Sequence, residues 1–161
     1  MKITKIATQI INLPFESTIT TAIHKMSSVG CVLLTIETDE GIEGQSYLFS
    51  LNASNIHSFD EKLKKFERHL IGKDPHLVEV IWQEIWQAIS SVRDKHIAIS
   101  ALSTIDTAIW DIVGKTANLP LHRLFGACRE KIKTYASGGL WLSQPIDSLL
   151  KDAQNFLDQG F

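Results

Sequence analysis

The side chains able to do chemistry are scattered along this chain. The six histidines, His24, His57, His69, His76, His96 and His122, form no His-x-x-x-His or His-x-x-Glu-His group, and no carboxylate cluster has calcium-loop spacing. Single-chain zinc and calcium sites need those patterns, so no metal site made from this chain alone is expected, and no catalytic residue is assigned in it. Asp106 and Asp111 stand about 140° apart around a helix and cannot act as paired carboxylates; they read as buried or interfacial hydrogen-bond acceptors. Ser137-Gly138-Gly139 lacks the Gly ahead of Ser that a nucleophile elbow requires, and no Gly-x-x-x-x-Gly-Lys phosphate loop exists. Ser137 therefore has two readings. It is a turn Ser, or, lying just beyond the strand-like KIKTYA, it holds a substrate group at the carboxyl end of a barrel strand.

Composition removes whole classes of partner. The net charge is −2 and the basic residues are dispersed, so no nucleic-acid surface is expected. No uninterrupted apolar stretch approaches the ~18 residues of a membrane crossing, and no signal peptide is legible at the amino terminus. Cys31 and Cys128 lie in no Cys-x-x-Cys spacing, which suits a reducing compartment and a cytoplasmic location. A hydrophobic content of 44% is ample for a buried core.

Residues 2–13 read as an edge or bulged strand. Cys31–Thr38 and Ile42–Phe49 flank Asp39-Glu40-Gly41 as a tight hairpin, so the first half is a small antiparallel meander. Residues 14–29 show neither helical nor strand periodicity and read as a long loop, either a functional lid or a mobile connection. Ile56, Phe59, Leu63, Phe66 and Leu70 draw one apolar helical stripe, with Asp60 to Lys64 and Glu61 to Lys65 pairing on the wet face. Gly72 ends that helix. Asp74 as cap and Pro75 at the first helical position open the next, which buries Leu77, Val78, Ile81, Ile85 and Ile89 with Trp82 and Trp86 packing beside them. The helix at about 96–116 is apolar almost all round and must be buried on most sides, with a stop at Asn118 before Leu119-Pro120. Residues 131–136 then read as a strand and 146–157 as a helix, with a second parallel strand due at Phe161. A lone βα unit normally belongs to a larger parallel sheet or barrel.

The segment Asp106-Thr-Ala-Ile-Trp-Asp-Ile-Val-Gly-Lys115, followed by Pro120-Leu121 and Leu124-Phe125-Gly126, resembles the helix-to-barrel signature of the mandelate racemase and muconate lactonizing family, within the enolase superfamily. Gly44-Gln45-Ser46-Tyr47-Leu48-Phe49 is similar to the corresponding strand, and Thr104 departs from the smaller residue more usual there. The resemblance implies an α+β capping domain over residues 1–126, a three-stranded antiparallel meander plus helices, and the first βα unit of an incomplete (β/α)8 TIM barrel over 127–161. It implies an isomerase or lyase that abstracts the α-proton of a small-molecule carboxylate, a 2-hydroxy acid or acid sugar, with racemisation or dehydration to follow. Magnesium would be held by three acidic residues of later barrel strands, and the base would be a Lys or His there; such positions lie beyond Phe161. Because enediolate formation needs that charge stabilisation, this chain alone is expected to be inactive. Its contribution would be substrate recognition by Ser137, Tyr47 and His24, the last in a loop spanning Thr18 to Val29. The implied partners are the substrate, the remaining barrel segment and further copies in a homo-oligomer. A free-standing, non-catalytic α+β module for binding or self-association is the alternative.

Overall fold

In the computed structural model, which describes residues 1–89 and 95–161, three antiparallel strands lie in the order β1-β2-β3. They are β1 (Ile3–Thr20), β2 (Lys25–Thr38) and β3 (Glu43–Leu51). Alternation sets the faces: Val32, Leu34 and Ile36 are buried on one side of β2, while Leu33 on the other side is exposed. The segment expected to be a loop, 14–29, is instead the far end of the β1–β2 hairpin, with Ile19 paired to Met26 and Thr20 to Lys25. It escapes a periodicity reading because most of its side chains are exposed; a ribbon with no buried face has no reason to alternate apolar and polar residues. A register shift between Pro14 and Ile19 marks where it bulges, as a Pro without an N–H favours.

Among the described residues five α-helices follow: α1 (Ile56–Phe66), α2 (Val78–Ile89), α3 (Lys95–Thr116), the single turn α4 (Leu121–Leu124) and α5 (Ile146–Asp158). α1 and α3 pack over one face of the sheet and α2 packs against α3, and their stripes join Ile6, Val32, Leu34 and Ile36 in a single core. Three details differ from the sequence reading. Asp60 belongs to the buried stripe, not to the wet face, because it follows Ile56 and Phe59 at helical spacing; it accepts hydrogen bonds from Thr8 Oγ1 (2.5 Å) and Lys64 Nζ (2.7 Å). Burial alone would raise its pKa, but those two donors outweigh it and hold the carboxyl low. Asp74 does not cap α2 directly. Its Oδ1 accepts the His76 N–H at 3.0 Å in a turn that precedes the helix, and Leu77, left outside α2, is exposed. Trp82 packs against the core, but Trp86 is exposed and stacks on it at 5.1 Å between ring centroids.

α3 is the spine of the domain. By length and composition it would suffice to cross a bilayer, yet Ala98, Ala101, Leu102, Ile105, Ala108, Ile109 and Ile112 are buried within this fold, which accounts for its apolarity. It lies so close to β3 that a Cβ on Gly44 would come 2.0 Å from the Ala108 carbonyl oxygen. The edge of β3 is thereby occupied: Asp111 Oδ2 accepts the Gln45 N–H at 2.8 Å, Lys115 Nζ donates to the Glu43 carbonyl at 2.7 Å, and Ser46 Oγ donates to the Thr104 carbonyl at 2.7 Å. Unpaired strand edges invite foreign strands, and α3 blunts this one. At its carboxyl end Asn118 takes a left-handed conformation, φ 52°, and the Leu119 N–H reaches back to the Gly114 carbonyl at 3.0 Å. That is a Schellman stop with Asn in the position usually taken by Gly.

Beyond α4 the character changes. No residue of 127–161 is buried. Residues 131–136, expected as a strand, join no ladder among the described residues, because β-propensity shapes a segment but pairing needs a partner. Ile146, Leu150 and Leu157 of α5 are 73%, 64% and 65% exposed, so much of its apolar face is open to solvent.

Gly44→Ala is expected to cost more than about 3 kcal/mol, the upper end of overpacking penalties, since the clash is with backbone and cannot be relieved by a rotamer. Urea unfolding of the variant beside the native chain checks this.

Candidate functional site

β3 pairs with β2 only as far as Val29 opposite Leu51. Past that point the β1–β2 hairpin runs on as a two-stranded arm, and His24 stands at its tip. Thr21 builds the turn: its Oγ1 accepts the His24 N–H at 3.0 Å, and its own N–H donates to the His24 carbonyl at 2.8 Å. The His24 side chain is exposed, next to Ile23 at 83% exposure. An imidazole and a bare apolar side chain carried on an arm can reach over a neighbouring site, contribute one hydrogen bond and exclude water.

Tyr47 occupies a different place. It pairs with Leu33 on the sheet face turned away from the helices and is 65% exposed. Leu33 lies roughly 25–30 Å of strand from the hairpin tip, at ~3.3 Å per residue, so Tyr47 and His24 do not converge on one small molecule. Tyr47 instead adjoins Leu33 and Phe49, and with Leu48, Phe49, Ile99, Ser103 and Thr107 it borders a depression of about 390 Å³ between β3 and α3. Ser137 is exposed just after the extended segment 131–136. Nearby, Thr134, Tyr135, Ala136 and Leu140 line an apolar hollow of about 390 Å³ against Ala153, Phe156, Leu157 and Phe161 of the α5 end. Gln144 links the two parts, accepting the Trp141 N–H at 2.7 Å and donating to Asp152 at 2.9 Å.

The two aspartates of α3 separate as their spacing requires. Asp111 is the hydrogen-bond acceptor anticipated, taking the Gln45 N–H and the Lys115 ammonium. Asp106 is half-buried and has no hydrogen bond among the described residues. Burial, with the negative charge of Glu79 adding to it, pushes its carboxyl above the ordinary 3.8. It lies on the same side of α3 as Trp110, whose ring meets the 60% exposed Phe125 edge-on at 4.8 Å. No three His, Cys, Asp or Glu side chains cluster to hold a metal among the described residues. The residue that sequence reasoning passes over is Asn52. The signal was the polar turn Asn52-Ala53-Ser54-Asn55, rich in residues that tolerate left-handed backbone.

The family model for the mandelate racemase / muconate lactonizing enzyme, N-terminal domain, matches residues 4–126. The 3,6-anhydro-alpha-L-galactonate cycloisomerase of Streptomyces coelicolor is 30% identical over 160 residues, covering 99% of this chain and 44% of that protein. The L-talarate/galactarate dehydratase of Salmonella typhimurium is 32% identical over 127 residues, 79% of this chain and 32% of that protein. Among solved structures, a racemase from Streptomyces coelicolor with bound magnesium superposes with a TM-score of 0.90 at 30% identity, covering 99% of this chain and 44% of its own. The Salmonella dehydratase liganded with magnesium and L-lyxarohydroxamate gives 0.91 at 26% identity, covering 99% and 42%. The chain thus spans less than half the length of these relatives.

A carboxyl whose pKa rises on folding binds its proton more tightly in the folded chain. Its contribution therefore favours folding below the unfolded value near 3.8 and is lost as the pH climbs through the raised folded value. Asp106→Asn cannot ionise, so it is expected to be more stable than the native chain at pH 7 and nearly equal to it at pH 3. Urea midpoints at the two pH values measure the difference.

Proposed function

The chain belongs to the mandelate racemase / muconate lactonizing enzyme family, and from that premise we propose that it is the capping portion of an enzyme that removes the proton α to the carboxylate of an acid sugar. The observation that carries this reading is the superposition, over 99% of the chain, on structures holding magnesium and a sugar-acid-like ligand. Dehydration or isomerisation follows, in keeping with the dehydratase and cycloisomerase relatives.

Within such an enzyme this chain supplies recognition. The arm closes over the mouth of the barrel and brings His24 to a polar group of the substrate while Ile23 excludes water. Ser137 offers its hydroxyl to the substrate carboxylate from the end of the first barrel strand, and residues 127–161 form the first βα unit, beginning after Gly126. The exposed α5 face and the unladdered 131–136 segment support that division, since both await neighbouring barrel elements. Magnesium stabilises the developing enediolate when bound; its ligands are proposed to belong to the remaining barrel segment, in keeping with the lack of a cluster of three His, Cys, Asp or Glu among the described residues. Tyr47 is better placed for packing or self-association, together with Phe49 and Leu51 on the outer sheet face. That apolar face supports a homo-oligomer, and the unpaired Cys31 and Cys128 support a reducing, cytoplasmic setting.

The 161-residue chain by itself is expected to turn over none of a panel of acid sugars and to show no micromolar magnesium site by calorimetric titration. Turnover or such a site in the isolated chain overturns the reading. In the barrel-containing enzyme, His24→Ala is expected to raise KM about three- to tenfold with a smaller change in kcat, the signature of one lost binding hydrogen bond. Steady-state kinetics on the preferred acid sugar checks this.

A further inference from the structure

Where the sheet narrows from three strands to two, one side chain ties the arm down. Asn52, the first residue after β3, donates its backbone N–H to the Ser28 carbonyl at 2.8 Å. Its Oδ1 accepts the Ser27 N–H at 2.9 Å, and its Nδ2 donates to the Lys25 carbonyl at 2.9 Å. These bonds reach the side of β2 that β3 has just left. The turn holding Asn52 is set firmly against the arm's base. Asn52, Ala53 and Asn55 are all left-handed, at φ 53°, 52° and 58°, a conformation that Asn tolerates and that Ala adopts only when its surroundings impose it. At Gly30 a Cβ would fall 2.6 Å from the Ala53 Cβ, so turn and strand touch with no room for a side chain between them.

We infer that Asn52 is a positioning residue that fixes the pose of the hairpin arm, and through it the affinity for substrate. Two-stranded ribbons are marginal alone, and past Val29 the arm keeps ladder bonds on one side only. Asn52 restores, through a side-chain amide, the pair of strand-like bonds that a continued β3 would have made. Asn suits the task because it tolerates the left-handed backbone and carries both a donor and an acceptor. Gly would accept the same backbone and hold nothing; Asp would keep the acceptor and lose the donor. The inference rests on the arm acting as the lid proposed above, but the anchoring itself is measurable without substrate.

Asn52→Gly removes the clamp without adding backbone strain. Tryptic cleavage after the exposed Lys25, which needs local opening of the arm, is expected to be roughly tenfold faster in this variant. Cleavage after Lys64 and Lys65 and the thermal midpoint should be nearly unchanged, and Asn52→Asp should fall between. Equal cleavage at Lys25 in native and Asn52→Gly chains overturns the inference, as does an equal rise at every lysine. In the barrel-containing enzyme the same variant should raise KM for the acid sugar more than it lowers kcat. An arm that loosens while KM stays constant leaves the anchor standing and defeats the lid reading.

Discussion

The whole capping domain depends on how closely α3 lies against the edge strand β3. At Gly44 the helix backbone comes within a distance that excludes even a methyl group, and the small residues Ala98, Ala101 and Ala108 keep that face of α3 flat. Contact of this kind brings polar backbone groups within reach, and three are satisfied there by Asp111, Lys115 and Ser46. Apolar packing sets the distance and hydrogen bonds set the register. A shift by one residue would break both, so α3 can dock in one way only.

Two consequences spread from that contact. On one side the sheet is held rigidly enough that the β1–β2 hairpin can project beyond it as an arm, secured at its base by the turn after β3. On the other, the fixed axis of α3 sets Trp110 against Phe125, just ahead of residues 127–161. Asp106 is informative because a half-buried carboxyl without a hydrogen bond among the described residues is an energetic cost the fold tolerates. Such a group is at ease once a donor from a further structural element reaches it.

The residues after Gly126 obey different physics. A strand is stabilised by the ladder bonds and cover that its neighbours supply, and 131–136 joins no ladder among the described residues. The segment keeps its extended shape, α5 keeps its local hydrogen bonds, and a few contacts such as Gln144 to Asp152 hold them together.

Much of this was legible in the residues themselves. Wherever one face of an element is buried, the pattern of side chains records it: Val32, Leu34 and Ile36 mark β2, Ile56, Phe59, Leu63 and Phe66 mark α1, and the unbroken apolarity of α3 announces a central helix. The signature from Asp106 to Gly126 carried the family. The arm left no such trace, because both of its faces meet water and nothing selects for alternation. Spacing on a helix names a stripe but not its width, which is why Asp60 proved buried while Leu77 and Trp86 lie open. Sequence determined the local elements and the kinship, since these follow from propensity, periodicity and residue identity over short range. Only the tertiary structure decided which polar groups meet: Thr8 with Asp60, Gln45 with Asp111, Asn52 with Lys25 and Ser27. Those partners lie far apart along the chain, and only folding brings them within the 3 Å over which a hydrogen bond acts.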